Sequence, residues 1–324
     1  MDSGQPRHDD ELSTLLERLC TEHQVVGAQL AIDDGRAGVL REAATGVLNA
    51  ELGTPATPDA LFQIGSITKV YTTTLLMQLV DQGRLDLDAP GADYLTDFAL
   101  ADAEQTRLVT TRDLLRHTSG IEGDIFWDTG RGDDCVRRYV ERLGEIGFIH
   151  PVGATASYCN AGFVVAGRIV EELTGQTWDE ALAEHLLGPL ALTHTQTLPE
   201  RMIRYAVAHG HDVDDGGAVT LVQRWAIPRS SGPAGIIAAR ARDVCVFARL
   251  HLDHGRSPAG GQLLSEQSVR AMQKEGPGPL PSADGAWAGL CSTGVSPGTG
   301  TTGAPTDSWR SYASFPSVTL RWFS

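Results

Sequence analysis

Residues 62–83 read Phe62-Gln63-Ile64-Gly65-Ser66-Ile67-Thr68-Lys69-Val70-Tyr71-Thr72-Thr73-Thr74-Leu75-Leu76-Met77-Gln78-Leu79-Val80-Asp81-Gln82-Gly83. Val70, Leu75, Leu76, Leu79 and Val80 recur at helical spacing, and Gly83 is a natural residue to end a helix in the left-handed conformation. The pattern predicts one long helix over 66–82 with Ser66 in its first turn. Residues i and i+3 are neighbours on a helix surface, so the Ser66 hydroxyl and the Lys69 amine share one face. A helix N-terminus carries partial positive charge and free N–H groups. That field favours a neutral amine, able to take the serine proton, and a negative oxygen beside it. A serine is a weak nucleophile until such a base adjoins it.

The pairing is rare in this chain. Lys69 and Lys274 are its only lysines against 18 serines in 324 residues. S-x-x-K is therefore expected about 0.1 times by chance (18 × 2/324). A second pattern, Tyr158-Cys159-Asn160, falls in a turn before a helical stretch that runs from Gly162 to Leu173 and stops at Gly175. A phenol can shuttle a proton between a serine and a leaving group. The amide of Asn160 can hold the lysine or a substrate carbonyl. The plainer alternative makes Ser66 a helix-terminal serine bonded to backbone, and Lys69 a solvated charge.

Beyond these two motifs stand Leu114-Leu115-Arg116-His117-Thr118-Ser119-Gly120 and Gly232-Pro233-Ala234-Gly235. With Phe62 to Lys69 and Ser157-Tyr158-Cys159-Asn160-Ala161-Gly162, they make residues 12–255 resemble the serine β-lactamase and penicillin-binding protein superfamily, in its class C β-lactamase-like esterase branch. The separation of Ser66 and Tyr158 is of the class C kind. The resemblance implies an α+β fold: an antiparallel sheet flanked by helices, joined to an all-helical domain, with the site in the cleft between them. It implies that Ser66 forms an acyl-enzyme, that Lys69 and Tyr158 are its acid/base pair, and that backbone N–H groups stabilise the oxyanion. It implies no metal and no organic cofactor.

The resemblance stops short of the C-terminus. The family's third motif, K-T-G or H-x-G, lines the cleft opposite the serine, and neither string occurs downstream of Tyr158. The nearest are Ser292-Thr293-Gly294 and Thr301-Thr302-Gly303, in a stretch built almost wholly of Gly, Ser, Thr, Pro and Ala. The loss of charge and periodicity marks the tail after about Leu290 as atypical, a shifted reading frame or a degenerated end, with a possible strand over Tyr312 to Phe323. A second reading follows from the missing motif: a non-catalytic binding protein with the family fold.

The rest of the chain frames this core. Leu12, Leu15, Leu16 and Leu19 predict an amphipathic first helix capped by Asp9 or Asp10. Val25 to Ile32 and Gly38 to Gly46 predict a hairpin through Asp33-Asp34-Gly35, and Ala241 to Asp253 a later helix. At roughly 150 residues per domain, the length suits two units. Residues 12–84 with 230–324 would form the sheet domain, 85–229 the helical one, and 1–11 a flexible lead.

Lys plus Arg number 26 against 41 Asp plus Glu, a net charge of −15. That sign disfavours nucleic acid and anionic membrane partners, which need a basic face. No apolar run approaches a membrane span or a signal-peptide core, so the expected setting is cytoplasmic. The expected reaction is ester hydrolysis or acyl transfer on a small ester or amide, with β-lactam or D-amino-acid peptide cleavage as the alternative. Oligomeric state is not specified by the sequence.

Other candidates rank lower. Ser119 lies outside a G-x-S-x-G elbow and reads as a structural loop residue. His209, His211, Asp212, Asp214 and Asp215 fit no metal spacing and read as a polar surface loop. His251 and His254 suit a helix end. Trp127, Trp178 and Trp225 serve an acyl pocket or the core equally well. The five cysteines are scattered, without a C-x-x-C pair, and Cys159 receives no role.

Overall fold

A computed structural model of the chain describes residues 7–8, 10–33, 40–214, 216–224 and 227–273. Its centre is the helix Thr68–Asp81, entered through a tighter 3-10 turn over Gly65–Ile67. The expected helix is therefore present, with Ser66 in the tighter turn that precedes it. Gly83 closes it at φ +68°, as the sequence suggests.

This helix is buried almost all round, Thr72, Thr73 and Thr74 included. Buried hydroxyls need partners, and the threonines find them. Thr73 and Thr74 donate back to the carbonyls of Lys69 and Val70, while Thr72 donates to the carbonyl of Pro233 at 2.8 Å. Thr68 accepts the Ile237 N–H at 3.2 Å. Leu75, Leu76, Met77 and Leu79 fill the gaps between these polar ties, each burial stabilising by about 1.5–3 kcal/mol.

A second buried helix, Asn160–Thr174, packs beside the first. The short helical segment Gly232–Gly235 is wedged against both. Its fit depends on Gly167: a Cβ there would stand 2.3 Å from Pro233 Cγ. Close approach of the proline ring accompanies the placement of the Ala234 backbone against the helix Thr68–Asp81.

The strand pair Gly27–Asp33 and Leu40–Asn49 is antiparallel, with Gly27 opposite Gly46 and Asp33 opposite Leu40. The second strand runs further than expected, to Asn49, where Thr54–Pro55 adds to it. Arg7–His8 joins its other edge in parallel, an exception in an otherwise antiparallel set. The expected turn over Asp33-Asp34-Gly35 falls partly on 34–39, outside the described residues. The first helix, Asp10–Glu22, covers this sheet through Leu12, Leu16 and Cys20 against Ala28, Leu30 and Ala43. A second sheet pairs Phe62–Gln63 with Ala238–Ala239, and the latter with Thr195–Gln196. It ties the approach to Ser66 to the exit from Gly232–Gly235.

The expected polar loop around His211 is instead a hairpin, His211–Val213 against Val219–Leu221. His211 is buried there, and its Nε2 accepts the Ala50 N–H at 3.0 Å. Trp178 belongs to the core and Trp127 packs at its margin, while Trp225 lies outside the described residues. The tail after Gln273, with the expected strand and the Ser292 and Thr301 strings, also lies outside them. The helix Ala241–Leu252 forms as expected.

Candidate active site

Lys69 Nζ donates to Ser66 Oγ at 3.0 Å and to the Ala234 carbonyl at 2.7 Å. The lysine is only 1% exposed, whereas Ser66 lies open to solvent. A solvated surface lysine is thereby ruled out. One turn of helix delivers the amine to the hydroxyl, and Gly232–Gly235 delivers the carbonyl that orients it. Ala234 lies in the Gly232-Pro233-Ala234-Gly235 motif, but its acceptor is a main-chain atom that no side-chain pattern reveals.

Tyr158 comes to the same place from a distant turn. Its ring centroid lies 4.9 Å from Lys69 Nζ, and the ring of Phe163 lies 5.6 Å away. Tyr158 itself is 43% exposed, at the mouth of the site. Its backbone passes close under Gly123, where a Cβ would meet the Tyr158 carbonyl at 2.3 Å. The Gly123 carbonyl accepts N–H groups from Asn160 and Ala161, which fixes the following helix start.

Asn160 is the first residue of the helix rather than part of the preceding turn. Cys159 caps it: the buried sulfur accepts the Gly162 N–H at 3.2 Å. A thiol is not among the usual capping groups, so the boundary was easy to misplace. Burial pushes the Cys159 thiol up to about 11, which keeps it protonated and unreactive. The Asn160 side chain donates through Nδ2 to Asp124 at 3.0 Å. That bond fixes which way the amide faces. Its nitrogen is thus committed to Asp124, a partner absent from the sequence reading.

His117, which the sequence marks only as a member of the 114–120 motif, is buried against Tyr158. The two rings stack with centroids 4.5 Å apart. Burial pushes His117 down to about 3, so the imidazole is neutral. Ser119 is fully buried and its hydroxyl accepts the Ile121 N–H at 3.4 Å, a structural part as expected. Among the described residues no group of three or more His, Cys, Asp or Glu side chains is placed to hold a metal ion. No helix among them is long and apolar enough to cross a membrane.

The sheet, the paired buried helices and the Ser66–Lys69 contact define a β-lactamase/transpeptidase-like protein. The chain belongs to the beta-lactamase family, whose model matches residues 12–313. It is 48% identical over 260 residues to penicillin-binding protein 4 of Amycolatopsis lactamdurans, covering 80% of this chain and 68% of that protein. It is 30% identical over 216 residues to esterase EstB of Burkholderia gladioli, covering 62% of this chain and 54% of the esterase. Among solved structures, SurE is similar with a TM-score of 0.73 and 32% identity, over 86% of this chain and 62% of SurE. The chain thus spans roughly half to two thirds of the length of these relatives.

Proposed function

We propose that the protein is a serine hydrolase or acyltransferase that works through an acyl-enzyme on Ser66. The observation that carries this reading is the 3.0 Å bond from a buried Lys69 to an exposed Ser66. Membership of a family of serine hydrolases supports it.

In this reading the neutral Lys69 amine takes the Ser66 proton as Oγ attacks the acyl carbon. The carbonyl π electrons move to oxygen, where the Ser66 N–H stabilises the developing charge. Tyr158 passes a proton to the leaving group as its bond to carbon breaks. Water, an alcohol or an amine then takes the acyl group, with protons returning by the same route. Asn160, oriented by Asp124, positions the substrate or the lysine.

We assign a small ester as the substrate class, which the 30% likeness to an esterase supports. A second reading, acylation by β-lactams, is favoured by the 48% likeness to a protein named for binding penicillin. Intact-mass measurement after a fluorophosphonate or nitrophenyl ester tests the core claim: the parent gains the adduct mass and Ser66→Ala does not. A folded chain that gains no adduct would instead support a non-catalytic binding protein. Faster turnover of nitrocefin than of any nitrophenyl ester would transfer the assignment to β-lactams.

A further inference from the structure

We propose that His117 is the positioning residue of Tyr158, holding the turn that sets the phenol over Lys69. This rests on the reading of Tyr158 as the proton shuttle. Three successive residues are gripped by this one side chain and its backbone. The His117 carbonyl accepts the Ser157 N–H at 2.8 Å. Its Nδ1 accepts the Cys159 N–H at 2.9 Å. Its ring stacks on the Tyr158 ring between them, 4.5 Å away and inclined by 28°.

The cost of this arrangement points the same way. His117 has φ +60°, a left-handed conformation that non-glycine residues rarely keep unless the surroundings impose it. Here that conformation accompanies a carbonyl and an imidazole that serve the same turn. With Nδ1 accepting, the proton sits on Nε2, which finds no partner among the described residues. The side chain is thus held by ring packing and by the single bond to Cys159. Phe163, with its ring centroid 5.3 Å from the imidazole and tilted by 42°, also approaches Lys69. An imidazolium would present N–H to N–H at Cys159, so the neutral form that burial enforces is the one this grip requires.

A histidine that merely fills the core would affect folding but would have no particular dependence on the phenol. A double-mutant cycle separates the two. The rate of Ser66 labelling by an alkyl ester, whose alcohol leaves only when protonated, is read by intact mass for the parent, Tyr158→Phe, His117→Asn and the double variant. Asparagine tolerates the left-handed backbone but removes the ring. We expect His117→Asn to slow labelling about 10- to 100-fold in the parent. In the Tyr158→Phe background it should slow labelling no more than about twofold, since the group it positions is gone. His117→Gln carries the same cycle if the asparagine variant does not fold. Equal slowing in both backgrounds overturns the proposal. So does a Tyr158→Phe variant as fast as the parent, which leaves no phenol to position. Failure of the parent itself to label at Ser66 overturns the acyl-enzyme reading, and the parent alone reports it.

Discussion

Lys69 Nζ and the Ala234 carbonyl, 165 positions apart in sequence, meet at 2.7 Å. The amine beside Ser66 is therefore held from two sides, by its own helix and by a backbone segment from far along the chain. Replacing Lys69 with Met keeps most of the volume and removes the amine. Loss of one general base costs about 10²- to 10⁴-fold in rate. We expect Lys69→Met to fold, by far-UV circular dichroism, and to label at Ser66 slower by that factor. Labelling at the parent rate would remove the lysine from the proposed chemistry.

The interlock of Gly167 with Pro233 predicts a backbone effect on the same amine. Gly167→Ala places a Cβ 2.3–2.5 Å from the proline ring. Overpacking of this kind destabilises by about 1–3 kcal/mol. A lower thermal midpoint and slower Ser66 labelling should appear together, because moving Pro233 moves Ala234. An unchanged midpoint would show that the segment yields freely.

Asp124 is exposed, yet it holds the Asn160 amide. Asp124→Ala should lower global stability by about 1–3 kcal/mol, because it leaves the buried Asn160 amide without its acceptor. The orientation of Asn160 should suffer, raising KM or lowering kcat for a nitrophenyl ester. Denaturant melts and steady-state kinetics on one preparation check both halves, and unchanged kinetics would leave the Asp124 contact without consequence.

Three groups whose values burial shifts contribute most clearly to the response to pH. His117 and His251 have their values lowered from 6.5 to about 3 and about 4, mainly by burial. Their neutral forms favour the fold above pH 6.5, and that contribution is lost as pH falls toward 4 and 3. Glu171 is raised from 4.5 to about 7, chiefly by burial, so its contribution has the opposite sign. It is fully present below 4.5 and is lost as pH rises through 7. Each proton is worth about 1.4 kcal/mol per pH unit, so two losses outweigh one gain between pH 6.5 and 4.5. Stability should fall on acidification through that window, more steeply in Glu171→Gln and less steeply in His251→Phe. An identical slope in all three proteins would contradict this balance.

The helix Thr68–Asp81 and the turn before it are legible because their signal is local: the i, i+3 pair Ser66 and Lys69 and a terminating Gly83 lie within one short stretch of chain, although Ser66 sits in the 3-10 turn and Lys69 in the helix. Likewise Tyr158 could be found through the short motif Tyr158-Cys159-Asn160 ahead of a helical stretch. The partners that make these residues a site were hidden for physical reasons. The Ala234 carbonyl is common to every residue type. Asp124 is one of many exposed carboxylates, and its bond to Asn160 exists only once the Gly123 turn is folded. His211 was misplaced because the run Asp212 to Asp214 looks like a solvated loop, although cross-strand pairing with Leu221 buries the imidazole. Strands as short as Phe62–Gln63 and Ala238–Ala239 carry no readable alternation at all.

The hydroxyl at the mouth is wetted while the amine one turn deeper is sealed beneath aromatic rings and main chain. The two ends of one 3.0 Å contact thus meet different surroundings, water on one side and packed protein on the other. A reagent arriving from solution reaches the oxygen first and the nitrogen only through it.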